Sequence, residues 1–204
     1  MNSGTRIGVF GGTFDPIHVG HLAAVEDAAQ ALGLHEVLFV PNRQPPHKAV
    51  HSVSPARDRV AMVERAIADN SQFVLSLIEQ ERDGPSHIVD TLQELQQSLG
   101  NSIELVFLVG CDALADLHRW YKPDELLREF TVAVMDRPTG VAINWSAIEQ
   151  WFPNIRQQVQ VVHVAQLEIS GEDVRRRVRE HKPIRYHVLP QVANYIFEHG
   201  LYLD

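Results

Sequence analysis

At 204 residues, 45% hydrophobic and 22% charged, the chain has the size and balance of one well-cored globular domain, and its single cysteine excludes an internal disulfide. A formal net charge of -8 argues against a general nucleic-acid binder, which needs a broad basic surface, so any phosphate site has to be local. No apolar stretch reaches transmembrane length and the start lacks a signal-peptide pattern; the expectation is a cytoplasmic protein without a membrane partner.

The first apolar run, Ile7–Phe10, reads as a buried strand and is followed directly by Gly-Gly-Thr-Phe-Asp-Pro-Ile-His-Val-Gly-His at residues 11–21. Gly11 and Gly12 allow a tight turn and close approach of an anion, Thr13 adds a hydroxyl, and the following helix aims its free N–H groups back at the turn. His18 and His21, three apart, fall on one face of that helix near its positive end, where both imidazoles would donate to phosphate. A pair of surface histidines and a zinc site are the rival readings, but the glutamate and third ligand that complete a zinc site are not evident nearby. No residue is therefore expected as a metal ligand.

Val37–Val40 reads as the second strand, and the polar loop Pro41-Asn42-Arg43-Gln44-Pro45-Pro46-His47-Lys48 after it looks like a proline-stiffened lid with Lys48 as a mobile cation. Ser54 is expected to cap the next helix with Pro55 at its first position, Phe73–Leu77 to form the third strand, and Ser86 to cap the helix through Val89, Leu92 and Leu95. Ile103–Val109 is the fourth strand and runs into Gly110-Cys111-Asp112. Gly110 permits close backbone approach, Asp112 is placed for a ribose or a cation, and Trp120 for stacking on a planar ring. Cys111 is read as a structural thiol. Thr131–Met135 and Gln160–Val164 complete the strands. Ser170-Gly171-Glu172-Asp173 reads as a capping box, with Ser170 accepting from a first-turn N–H and Asp173 reaching back. Arg175, Arg176, Arg177, Arg179, Lys182 and Arg185 concentrate positive charge after it.

Buried strands alternating with helical spacing imply an α/β fold, a single Rossmann-like domain over residues 1–204 with a mostly parallel sheet and helices on both faces. Ligands of such sheets bind beyond the carboxyl ends of the strands, so the loops at 11–21, 41–48 and 110–112 and the turn at Ser170 are expected to share a cleft.

The run from Gly11 to His21 resembles the signature of the H-x-G-H nucleotidyltransferases, whose members join a nucleotide to a phosphate-bearing acceptor and release pyrophosphate. The Pro-Pro-His-Lys loop, Gly110-x-Asp112 with Leu117 and Trp120, Arg137-Pro138, and the ending from Ile184-Arg185-Tyr186 to His199-Gly200-Leu201-Tyr202 narrow the resemblance to bacterial nicotinate-nucleotide adenylyltransferases. That resemblance spans almost the whole chain. It implies ATP and nicotinate mononucleotide as substrates, Mg²⁺ accompanying ATP, and deamido-NAD and pyrophosphate as products. It puts His18, His21 and Lys48 at the chemistry and Gly11, Gly12, Thr13, Gly110, Asp112, Ser170 and Arg175 with ATP, the segment from about 170 to 204 completing that site. His47, Ser86, Trp120, Tyr121 and Arg137 go with the mononucleotide. It leaves a homo-oligomer open.

Two departures stand out. Where the family usually has Pro-Ser-Tyr-Thr, this chain has Pro85-Ser86-His87-Ile88, and where Ile-Ser-Ser-Thr is common it has Ile169-Ser170-Gly171-Glu172. The first makes substrate choice less secure than reaction type, with nicotinamide mononucleotide or phosphopantetheine as alternative acceptors. The second motivates a catalytically weakened nucleotide-binding regulator. An aminoacyl-tRNA synthetase fragment shares the His-x-Gly-His idea, but the chain lacks the anticodon-binding region and basic surface.

Overall fold

In the computed structural model, which describes residues 4–45, 53–136, 143–165 and 167–203, strands and helices alternate as the apolar runs imply. β1 (Thr5–Gly12) leads to α1 (Val19–Leu32), β2 (Glu36–Pro41) to α2 (Ala56–Ile67), and β3 (Phe73–Leu75) to the short α3 (Ile78–Glu81) and to α4 (Ile88–Leu99). β4 (Ile103–Gly110) runs into α5 (Cys111–Ala115) and α6 (Pro123–Glu129), and β5 (Thr131–Asp136) precedes α7 (Trp145–Ile148) and α8 (Ile155–Gln158). β6 (Val159–His163) is followed by α9 (Gly171–Arg179) and α10 (Pro190–Glu198).

The six strands form one all-parallel sheet in the order β3-β2-β1-β4-β5-β6, flanked by helices, which is the expected fold class. The register sets Val9 opposite Phe107, Val106 opposite Thr131, and Val132 opposite Val159. Strand order reverses between β1 and β4. Leu105–Val109 and Val132–Met135 are buried at every position, as strands covered on both faces must be, and this is why they read as unbroken apolar runs. β3 stops two residues short of its expected end. The Ser76 N–H turns to the Phe39 carbonyl at 2.9 Å, and Leu77 becomes the residue that opens α3.

The chain divides into two compact units, Met1–Phe10 with Ala24–Leu38 and His87–Gln166, and Gly11–Ala23 with Phe39–Ser86 and Leu167–Asp204. The first is cored by Val9, Val25, Val37, Leu92 and the β4 and β5 residues; the second by Ile17, Phe39, Met62, Val63, Val174, Val178, Val192 and Ile196.

Two expected helix caps are corrected. α2 opens one residue later than expected, with Pro55 as its N-cap and no side-chain cap, because the Ser54 N–H is drawn to Asp15 Oδ2 at 3.2 Å and its carbonyl accepts from Arg59 Nε at 3.0 Å. α4 is preceded by His87. The Ser86 hydroxyl accepts instead from the N–H groups of Arg43 (3.1 Å) and Gln44 (3.3 Å), stapling the loop after β2 from a buried position. Ser170 does cap α9, its Oγ accepting from the Asp173 N–H at 3.0 Å.

Candidate active site

In the unit that holds Gly11–Ala23, the chain leaves β1 by a turn whose shape is set by Phe14. This residue takes a left-handed φ of 50°, and its buried ring folds back over Gly12, where a Cβ would meet the ring at 2.9 Å. Gly12 is therefore required by the chain's own phenylalanine, a reason additional to the approach of an anion. His18 is the last residue before α1 and His21 lies in its first turn; their rings stack with centroids 3.6 Å apart and planes 20° from parallel.

The His18 N–H donates to His21 Nδ1 at 3.3 Å. This is the reach-back bond of a capping box made by an imidazole in place of a glutamate. Its chemical consequence is the tautomer. With Nδ1 accepting, the neutral ring carries its proton on Nε2. Phe14 meets the His21 ring edge-on at 5.5 Å and limits its rotation. The first N–H of α1 is not free as the sequence suggests, since Val19 donates to the His187 carbonyl at 3.0 Å.

Beneath the turn lies Arg59, only 1% exposed. Its guanidinium donates to three carbonyls on three segments, Ser54 (3.0 Å), Thr13 (2.8 Å) and Arg43 (3.2 Å). Burial pulls its pKa below the ordinary arginine value, while Asp15, Tyr202 and Glu79 act in the opposite sense. Glu79, also buried, accepts from Asn42 Nδ2 at 2.9 Å. Asp15 is bonded through every oxygen. Oδ1 accepts from the Tyr202 hydroxyl at 2.7 Å, Oδ2 from the Ser54 N–H, and the carbonyl from Arg175 Nη1.

That last bond brings α9 against the turn. A Cβ at Gly171 would lie 2.9 Å from the Asp15 carbonyl oxygen, so a serine there would force the backbone apart. Arg175 is thereby held one helical turn beyond the capped Ser170. Asp173, expected to reach back to Ser170, is engaged instead by Arg176 and faces His187 Nε2 at 3.7 Å. Arg177 bonds the Pro183 carbonyl and Lys182 pairs with Glu180, so part of the basic cluster is spent on the chain itself.

In the other unit, Gly110 ends β4 and Asp112 stands exposed in the first turn of α5. Cys111 turns inward, its Sγ 3.1 Å from the Met135 carbonyl, in keeping with a structural thiol. Trp120 is half-buried, with its ring 6.1 Å from that of Phe107 and tilted by 60°. Tyr121 is 46% exposed, and His87 stacks on it with centroids 4.4 Å apart and planes at 25°. The chain thus puts an imidazole on Tyr121 where its sequence departs from the Pro-Ser-Tyr-Thr pattern. His47, Lys48 and Arg137 lie outside the described residues. Among the described residues, no group of three or more His, Cys, Asp and Glu side chains is arranged to hold a metal ion, and no helix is long and apolar enough to cross a membrane.

A stacked histidine pair at a helix start and an arginine on a capped helix are thus brought to one turn, braced from beneath by a buried arginine. Residues 9–177 match the family model described as cytidylyltransferase-like. A "Probable nicotinate-nucleotide adenylyltransferase" of Thermomicrobium roseum is 41% identical over 198 residues, covering 97% of this chain and 92% of the relative. The protein so named from Roseiflexus sp. is 42% identical over 201 residues, with 98% and 99% covered. The chain belongs to the nicotinate-nucleotide adenylyltransferase family. It is a nucleotidyltransferase with the Rossmann-like fold of that family. Its fold is shared with a solved Plasmodium falciparum nicotinic acid mononucleotide adenylyltransferase complexed with APC, at a TM-score of 0.78 and 20% identity with 97% of each chain covered.

Sequence reasoning about this family member left out Arg59, Asp15 as a junction, and Tyr202. A signal for Arg59 was present. It falls three and four residues before Met62 and Val63 on the buried stripe of α2, so its side chain had to point inward.

Proposed function

We propose that this nucleotidyltransferase transfers AMP from ATP to nicotinate mononucleotide, forming deamido-NAD and pyrophosphate. The observation that carries the reading is the His18 N–H to His21 Nδ1 bond, which fixes the His21 imidazole beside a stacked second imidazole at the start of α1. An oxygen of the mononucleotide phosphate attacks the α-phosphorus of ATP in line. The new P–O bond forms as the bond from the α-phosphorus to the bridging oxygen breaks, and its electron pair leaves with pyrophosphate. No nucleophile from the protein is needed; the work is positioning and charge stabilisation.

His21 Nε2–H, His18, Lys48 and Arg175 stabilise the charge that builds on the phosphate oxygens, and Gly11, Gly12, Thr13, Ser170 and the segment from about 170 to 204 complete the ATP site. Arg175 is suited to this, since one N–H of its guanidinium is anchored at the Asp15 carbonyl and a guanidinium carries five. Gly110 and Asp112 serve the adenosine, with Asp112 accepting from ribose hydroxyls. Trp120 stacks on the pyridine ring, with His47, Ser86, Tyr121 and Arg137 also on the mononucleotide side. Mg²⁺ enters as part of the Mg·ATP substrate and neutralises charge on the pyrophosphate; the chain's described side chains offer it no cluster of their own.

The acceptor is nicotinate mononucleotide in preference to its amide, a choice supported by His87 on Tyr121, because an imidazole N–H donates to a carboxylate more strongly than to an amide oxygen. We place the reaction in the cytoplasm, with small molecules as the partners. A pyrophosphate-release assay with ATP, Mg²⁺ and each mononucleotide tests this. The nicotinate form is expected to turn over faster. Release with neither would overturn the activity and favour a nucleotide-binding regulator.

A further inference from the structure

Tyr202 is held in a defined and uncommon conformation. Its φ of 65° is left-handed, a backbone state that a bulky side chain keeps only when its surroundings demand it. Its hydroxyl donates to Asp15 Oδ1 at 2.7 Å and lies 3.9 Å from Met62 Sδ. Burial and the Asp15 carboxylate push the phenol well above its usual pKa, so it remains a donor throughout the working range.

Asp15 sits between Thr13 and His18 in the same turn. Its second carboxylate oxygen takes the Ser54 N–H, and its carbonyl takes Arg175. The carboxylate and the carbonyl belong to one residue, so a tether on the first restrains the backbone that anchors Arg175. We propose that Tyr202 is a positioning residue for ATP: by holding Asp15 it fixes both the turn that presents His18 and His21 and the direction of the Arg175 guanidinium. The inference rests on the reading that these three side chains take the phosphates of ATP. It gives Tyr202 a part in nucleotide affinity without contact with the nucleotide.

An internal control is built into the same unit. Tyr195 also donates its hydroxyl to a carboxylate, Asp58 Oδ1 at 2.9 Å, but this bond links α10 to α2 and involves no residue of the turn. Tyr202→Phe and Tyr195→Phe each remove one oxygen and leave the ring in place. The full-length wild type and both variants are titrated calorimetrically with a non-hydrolysable methylene analogue of ATP and Mg²⁺, with thermal unfolding and the KM for nicotinate mononucleotide measured in parallel.

Both variants are expected to unfold at somewhat lower temperature. Only Tyr202→Phe should raise the Kd of the analogue, by roughly fivefold or more, with the KM of the mononucleotide changed by less than about twofold. Equal affinities for wild type and Tyr202→Phe would overturn the proposal, as would equal weakening in the two variants. Failure of Tyr202→Phe to fold where Tyr195→Phe folds would also overturn it, in favour of a structural role. A wild type that binds the analogue but does not turn over either mononucleotide refutes the acceptor, and the three affinities still decide the part played by Tyr202. A wild type that does not bind the analogue refutes both.

Discussion

The turn from Gly11 to His21 and the segment around Trp120 are held by different physics. In the turn, the candidate side chains of His21 and Arg175 are referred to the His18 N–H and the Asp15 carbonyl, and the Thr13 carbonyl to the buried Arg59 guanidinium. Around Trp120 the fixed points are rings, with Phe107 behind the indole and His87 stacked on a Tyr121 that is 46% exposed. Directional hydrogen bonds set position to a few tenths of an ångström, whereas ring contacts tolerate sliding. In-line displacement at phosphorus requires the first kind of precision, and holding a flat heterocycle requires only the second. Changes in the turn should therefore cost catalysis or folding steeply, and changes around Trp120 should be graded.

The sharpest way to break that contrast is to remove what the turn rests on. Arg59→Ala would leave three carbonyls without their donor and the buried Asp15 and Glu79 carboxylates without their cation. Removing one partner from a buried charge network costs about 3–5 kcal/mol. Denaturant unfolding should show a loss of that order; a loss below about 1 kcal/mol would mean that water replaces the guanidinium readily and that the turn has another foundation.

His21 comes next. His21→Ala is expected to lower turnover by a factor of roughly 100 or more, as for the loss of a donor aimed at transition-state charge. Since alanine also removes the bond to the His18 N–H, His21→Gln is the cleaner variant. A glutamine at the third position of a helix can make the same reach-back bond, so its stability should stay near wild type while turnover still falls. Turnover retained in His21→Gln would assign the imidazole to capping alone.

What was legible beforehand divides along the same line. The parallel sheet was visible because strands covered on both faces leave continuous apolar runs, and the Gly11–His21 turn because its residues are consecutive. The network under the turn was not legible. Tyr202 and Asp15 are 187 positions apart, and no local pattern links them. Ser54 and Ser86 do not cap their helices for a related reason: each has the right residue type beside a helix, but the Ser54 backbone and the Ser86 hydroxyl are claimed by Asp15, Arg59 and the loop after β2. A cap is chosen by propensity only when no tertiary partner competes.

On the tolerant side, Trp120→Ala should raise the KM of the mononucleotide by about fivefold and leave that of ATP nearly unchanged, since stacking on an aromatic face contributes on the order of 1 kcal/mol. The indole is only half-buried, so the variant should fold. Equal changes in both KM values would make Trp120 a packing residue over Phe107.

The smallest expected effect lies beside the turn, at the start of α9. Glu172 is exposed in the first turn, beside the capped Ser170 and three residues before Arg175. An acidic residue there favours the helix dipole, but the same carboxylate repels an incoming triphosphate across solvent, where the interaction is weak and screened by salt. Arg175 is anchored at the Asp15 carbonyl, so it does not need Glu172 to order it. Arg175→Ala should therefore raise the KM of ATP several-fold, and Glu172→Thr should lower it about twofold at low ionic strength without altering the preference between mononucleotides. The gain should shrink as salt is added, since screening removes the repulsion but leaves direct contacts largely in place. A rise in the KM of ATP for Glu172→Thr at fixed Mg²⁺ would show that the carboxylate assists binding, through the Mg²⁺ that travels with ATP, and that charge at this turn works with the phosphates and not against them.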